Sequence, residues 1–248
     1  MEIIEPKDIK TIKDFIKYIE RYKNENKIRL YRGQKEEFWD LESRLFYLLK
    51  TKKLENDFYS IEKRMFNSFK KELIRINPSN SKLTDWEILS IGRHYGLPTR
   101  LIDWTSNPLI ALWFAFEEEK DNNEDRIVWD LVVEEKYVAD LEGDDPFSGR
   151  FIKVFRPSNI DIRISAQESC FSVQNVTIFG KGGDGLPVFN EQNIINQMEE
   201  FDFLLARIKI PNDQRENILN ELDKLGINSN TIYPDLQRIC EGIELKEF

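Results

Sequence analysis

Arg93-His94-Tyr95-Gly96-Leu97-Pro98-Thr99-Arg100-Leu101-Ile102-Asp103-Trp104-Thr105-Ser106-Asn107-Pro108 runs directly into Leu109-Ile110-Ala111-Leu112-Trp113-Phe114-Ala115, and this join decides the fold. Gly96-Leu97-Pro98 ends one helix, a short extended piece follows, and Asn107-Pro108 opens the next, since a capping side chain followed by proline suits a helix N-terminus. Residues 109–118 are apolar almost all round, the pattern of a helix covered on every side, so this helix is expected at the centre of the molecule. Upstream, Thr84 and Glu87 stand in the S/T-x-x-E relation that satisfies free amides, which predicts a helix reaching Tyr95.

Working outward, Ile9, Ile12, Phe15, Ile16 and Ile19 recur at three and four and predict a helix over 9–22. Residues 27–32 alternate as a strand that Gly33 is expected to end. A second amphipathic helix is predicted over 54–76, stopped by Asn77-Pro78-Ser79-Asn80. Beyond residue 126 the texture turns to strands, expected at 127–133, 161–164, 171–179 and 204–210. Residues 211–225 read as a helix closed by Gly226, and Thr231-Ile232-Tyr233-Pro234 as a last extended segment. Helices first and strands later predict an α+β fold, not an alternating doubly wound sheet. With no Pro-rich or Gly/Ser linker and no repeat of 20 to 50 residues, one domain is expected over 1–248, a helical part (1–125) packed on a strand-rich part (126–248).

Composition narrows the chemistry. The 248 residues carry 36 Lys and Arg against 45 Asp and Glu, a net charge of −9, so a general electrostatic grip on nucleic acid or an anionic membrane is not indicated. Two cysteines, Cys170 and Cys240, and one histidine, His94, are too few for a disulfide framework or a zinc site, and no metal is expected. No apolar run approaches the roughly 18 residues of a membrane span, and Met1-Glu2-Ile3-Ile4-Glu5-Pro6-Lys7 lacks the basic flank and apolar run of a signal peptide. A cytoplasmic protein without a membrane partner is the expectation. A P-loop and a G-x-S-x-G elbow are both absent; Gly180-Lys181-Gly182-Gly183-Asp184-Gly185 reads as a loop, and Glu117-Glu118-Glu119 as a solvated face.

Three stretches could carry chemistry. The 93–108 segment places His94, Arg100, Asp103 and Thr105 at a junction of helix end, turn and strand, where polar groups face outward from a rigid frame. They read as one polar wall beneath the central helix; the alternative for Asp103 is a helix cap or a partner for Arg100. Tyr31-Arg32-Gly33-Gln34 puts an arginine beside glycine at a strand end, where a guanidinium fork can meet a phosphate. Arg163-Ile164-Ser165-Ala166-Gln167-Glu168-Ser169-Cys170-Phe171 sets Gln167 and Glu168 at a strand start, and alternation allows only one of them to point into a pocket.

Together these segments resemble the FRG domain, a family named for its F/Y-R-G signature and widespread in bacterial and phage-linked proteins. Tyr31-Arg32-Gly33-Gln34 resembles the naming motif, and Trp39 with Leu41 to Arg44 the W-x-L-x-x-x-x-R element after it. The 94–115 run resembles the family's longest signature, Arg156-Pro157 and Arg163-Ile164-Ser165-Ala166-Gln167 its later Q-bearing strand, and Tyr233-Pro234-Asp235-Leu236 its terminal F-P-D-L. Two positions depart: Arg93 stands where the family often has glutamine, and Ser169 where it usually has glycine.

The family's order of elements is similar to that of ADP-ribosyltransferases. The resemblance implies a sheet of that type and NAD as substrate. Tyr31, Arg32, Gly33, Arg100, Asp103 and Thr105 would bind the NAD, and Gln167, Glu168 and His94 would serve catalysis. It also implies transfer to a macromolecular acceptor (RNA, DNA or protein) by a toxin or antiviral effector, with an antitoxin as a possible partner. The rivals are a nucleotide- or RNA-binding module of the same fold without catalysis, and a metal-independent nuclease or hydrolase built around His94, Asp103 and Arg100.

Overall fold

The computed structural model describes residues 9–21, 27–54, 57–118, 124–148, 152–158, 162–173 and 204–234, together with Cys240 and Glu244. Helices are α1 Ile12–Arg21, α2 Arg44–Lys52, α3 Phe58–Ile76, α4 Asp85–His94, α5 Pro108–Phe116, α6 Ile162–Ala166, α7 Arg215–Lys224 and α8 Ser229–Ile232. Strands are β1 Lys27–Gln34, β2 Leu101–Thr105, β3 Arg126–Glu134, β4 Lys153–Phe155, β5 Ser169–Val173 and β6 Leu204–Ile210. The strands form one antiparallel sheet in the order β4-β5-β2-β1-β3-β6, so the fold is α+β as expected.

Helix α5 does become the central helix. Asn107 caps it, its side-chain oxygen accepting from the Leu109 amide at 3.0 Å, and Pro108 occupies the first turn. Its apolar surface meets α1 and α7 on one side and Tyr31, Val128, Ile208 and Ile210 of the sheet on the other. Gly33 makes this crossing possible. A β-carbon there would overlap the Ala111 carbonyl oxygen and lie 2.6 Å from the Ala115 amide nitrogen, so only a residue without a side chain lets the helix backbone settle on β1. The strand does not end at this glycine but continues to Gln34.

The capping box at Thr84 and Glu87 is formed, with the Glu87 amide donating to the Thr84 hydroxyl at 3.3 Å and the Thr84 amide to the Glu87 carboxylate at 2.8 Å. The resulting α4 packs Trp86, Ile88 and Leu89 with Phe66 of α3 against Leu101, Phe171 and Val173 of the sheet. Two short segments differ from expectation. Residues 162–166 form a helical turn, since an exposed Ile162 and a buried Ile164 fit a single turn as well as a strand over so short a span. Thr231 and Ile232 are likewise helical, because the Asn228 side chain accepts from the amides of Asn230 and Thr231 and starts α8. The expected strand over 171–179 is seen as Ser169–Val173; its remainder, the 180–185 loop and Asp235-Leu236 lie outside the described residues. Among the described residues no helix is long and apolar enough to cross a membrane.

Candidate functional site

The sheet consists of two well-registered halves joined by a thin seam. β1 pairs with β3 from Lys27↔Glu134 to Gln34↔Ile127, and β2 with β5 from Leu101↔Val173 to Thr105↔Ser169. Between β1 and β2 the register holds one pair, Tyr31↔Thr105. The strands part beyond it, and an open cavity of about 400 Å³ lies against this seam. Its walls come from β1 and the following Lys35, the end of α4, β2, the end of α5, the turn before β5, and Tyr233.

Asp103 is the charged centre of one wall. Arg93 grips its carboxylate, with Nε at 3.1 and 3.0 Å from the two oxygens and one terminal nitrogen at 2.5 Å. Arg32 approaches from β1, donating through Nη1 to the Asp103 carbonyl at 3.0 Å and reaching the carboxylate at 3.5 Å. Burial alone would raise the Asp103 carboxyl; the Arg93 charge and hydrogen bonds and the Arg32 charge outweigh it and hold the group below the usual carboxylate range. The same contact raises Arg93, against its burial. Arg32 is lowered, first by burial and then, against the pull of Asp103, by the charge of Arg93. Two cations thus share one anion. Nε and Nη2 of Arg32 make no hydrogen bond to any described residue, and Arg32 lines the cavity beside Arg93. His94 lines the same wall, its ring edge-on to Tyr95 at 5.2 Å.

The opposite end is built on Thr105. Its buried hydroxyl donates to the Gln167 carbonyl at 2.8 Å and accepts from the Asn107 amide at 3.1 Å, so it braces the turn instead of presenting itself to a ligand. Gln167 lines the cavity, with Nε2 donating to the Ile232 carbonyl at 3.4 Å. Glu168 does not line it. The pair sits in a turn, not on a strand, and Glu168 has φ of 45°, a left-handed conformation unusual for a non-glycine residue. That conformation turns its carboxylate to Ser106 Oγ and Asn107 Nδ2, both at 3.0 Å.

Three further expectations are placed differently. Arg100 is separate from the cavity: it is fully buried and paired through two nitrogens with Glu62 of α3, Nε at 2.6 Å, and its guanidinium lies over Phe58 and Phe147. Gly33 does permit close approach, but what approaches its missing side chain is α5. Tyr31 forms part of the cavity wall, yet its ring is buried in the α5 cluster below the Arg29 guanidinium, and burial with the nearby Asp130 charge pushes its phenol up.

The structure adds residues to which the sequence reading assigned no role. Trp39 and Tyr233 enter the cavity from the motifs in which they were noted. Glu117, read as solvated, lines the cavity with its side chain 17% exposed. Helical spacing carries the signal that would have found it: Glu117 is three residues beyond Phe114, so one face of α5 points both into the cavity.

Comparison with protein families matches residues 27–124 to the FRG domain. Residues 27–124 are thus similar to the FRG domain, and β1, β2, α5 and the Arg32/Arg93/Asp103 cluster all fall within the matched residues. Neither a search of curated proteins nor one of solved structures finds a match.

Proposed function

We propose that the cavity binds NAD and that the protein is an ADP-ribosyltransferase acting on a macromolecule. The observation that carries this reading is the convergence of Arg32 on β1, Thr105 at the end of β2 and Gln167 before β5 on one cavity at the parting of the sheet. Arg32, with two nitrogens available and a second arginine beside it, suits a pyrophosphate, which a guanidinium meets through paired hydrogen bonds. A cavity of about 400 Å³ is within the usual range for ligand sites.

The chemistry asks little of the protein. The bond between the ribose C1′ and nicotinamide breaks, its electron pair leaves with neutral nicotinamide, and an acceptor attacks the cationic C1′. Positioning and a nearby negative group are the main requirements. The net charge of −9 favours a protein or a short structured RNA over bulk DNA as acceptor. Toxin or antiviral action, checked by an antitoxin, is a setting that suits such transfer.

Binding without turnover is the second reading, favoured by the neutralised Asp103 and by a Glu168 that points elsewhere. The test is to incubate the protein with adenylate-labelled NAD and whole-cell extract. Label retained on a nuclease-sensitive or protease-sensitive product is expected; saturable NAD binding with no retained label would establish the second reading instead.

A further inference from the structure

Transfer through a cationic ribose needs an anion close to C1′, and among the described residues two carboxylates line the cavity, Asp103 and Glu117. Asp103 is held by two arginines. Glu117 is compensated more loosely: Lys35 Nζ lies 3.6 Å from its Oε2 and only 2.6 Å from Glu118, which is outside the cavity lining. Its Oε1 accepts a hydrogen bond of 2.7 Å from the Tyr233 hydroxyl, which fixes the carboxylate in place. Tyr233 follows Ile232, whose carbonyl receives the Gln167 side chain, so Glu117 and Gln167 are anchored to the same short segment.

We infer that Glu117 is the catalytic carboxylate of the proposed transfer, a role that the sequence pattern pointed toward Gln167 or Glu168. The inference rests on the NAD reading. In the step it serves, the C1′–N bond breaks with its electron pair going to nicotinamide. The Glu117 charge faces the resulting ribose cation, a lone pair of the acceptor forms the new bond to C1′, and the acceptor's proton passes to Glu117 or to water. Gln167, uncharged and bonded to the backbone, orients the sugar.

The test follows release of ring-labelled nicotinamide from NAD in the presence of whole-cell extract as acceptor. Glu117→Gln removes the charge yet keeps an oxygen for Tyr233, so a purely structural role would survive it. The expected result is a kcat lowered at least about 100-fold, with KM within about threefold and an unchanged melting temperature. Glu117→Asp retains the charge and is expected to keep more activity than Glu117→Gln; Tyr233→Phe, which frees the carboxylate, should fall between wild type and Glu117→Gln. A Glu117→Gln kcat within about threefold of wild type overturns the inference while leaving the NAD reading intact. Should Glu117→Gln fail to fold, equal activity in wild type, Glu117→Asp and Tyr233→Phe overturns it. Wild type that neither binds NAD nor releases nicotinamide overturns both readings, and wild type that binds without release overturns the catalytic role together with the transfer, leaving NAD binding alone.

Discussion

Arg93 and Arg100 flank the same Gly96-Leu97-Pro98 turn, and each grips a carboxylate, but the two pairs live in different surroundings. Arg100 and Glu62 have side chains 1% and 4% exposed and touch only protein, with Phe58 and Phe147 over the guanidinium. Arg93 and Asp103 are 19% and 41% exposed, open to solvent through the cavity, with Arg32 as a third member. The buried pair ties α3 to the turn before β2 and can do nothing else. The open cluster holds an excess of positive charge toward a ligand-sized space. Residue type is the same in both; access to solvent separates a structural clamp from a binding wall.

The largest expected effect tests the clamp. Glu62→Gln leaves the Arg100 charge buried without compensation and should destabilise the protein by about 3–5 kcal/mol, read from urea unfolding. Replacing both partners, Glu62→Leu with Arg100→Met, should recover most of that loss, because a well-packed apolar pair carries no desolvation penalty. A double variant as unstable as the single one would mean that the charges themselves stabilise this join.

Arg32→Ala tests the open cluster. NAD affinity measured by calorimetry should fall by about 1–3 kcal/mol, while unfolding stability changes by less than about 1 kcal/mol. If stability falls as far as in Glu62→Gln, the distinction between the two clusters collapses.

The smallest effect is on acid stability. Burial opposes ionisation of Asp103, but Arg93 and Arg32 hold its carboxyl below the ordinary value of about 3.9. A lowered native pKa adds stability that is fully present above that ordinary value and is lost as pH falls through the lowered one. Urea unfolding of wild type should therefore weaken between about pH 4 and pH 2 more than that of Asp103→Asn. The difference should stay below about 1 kcal/mol, since the carboxylate is partly open to water. Identical pH curves would show that the arginines do not stabilise the charged form.

The legibility of these features follows their range along the chain. The capping box at Thr84, the Asn107-Pro108 start of α5 and strand β6 over 204–210 are local: the groups that satisfy each amide or set each alternation lie within a few residues. Segments 162–166 and 229–232 are too short for apolar period to separate helix from strand, and the local cue in the second is a single capping residue, Asn228. In the site, Arg32, Asp103, His94 and Gln167 stood in recognisable motifs and do meet at one cavity. Arg100 stood in the same motif and does not, because its partner Glu62 comes from a distant helix.

By itself the sequence determined the α+β class, the buried α5, the FRG motifs and the net negative charge, all of which depend on composition or near-neighbour pattern. Only the tertiary structure decided where the sheet parts, that Gly33 makes room for a helix, that Glu168 turns away while Glu117 turns in, and which arginine is sealed and which is open. These choices are made by backbone approach and desolvation between segments far apart in the chain, and a periodicity reaching only three or four residues carries no record of them.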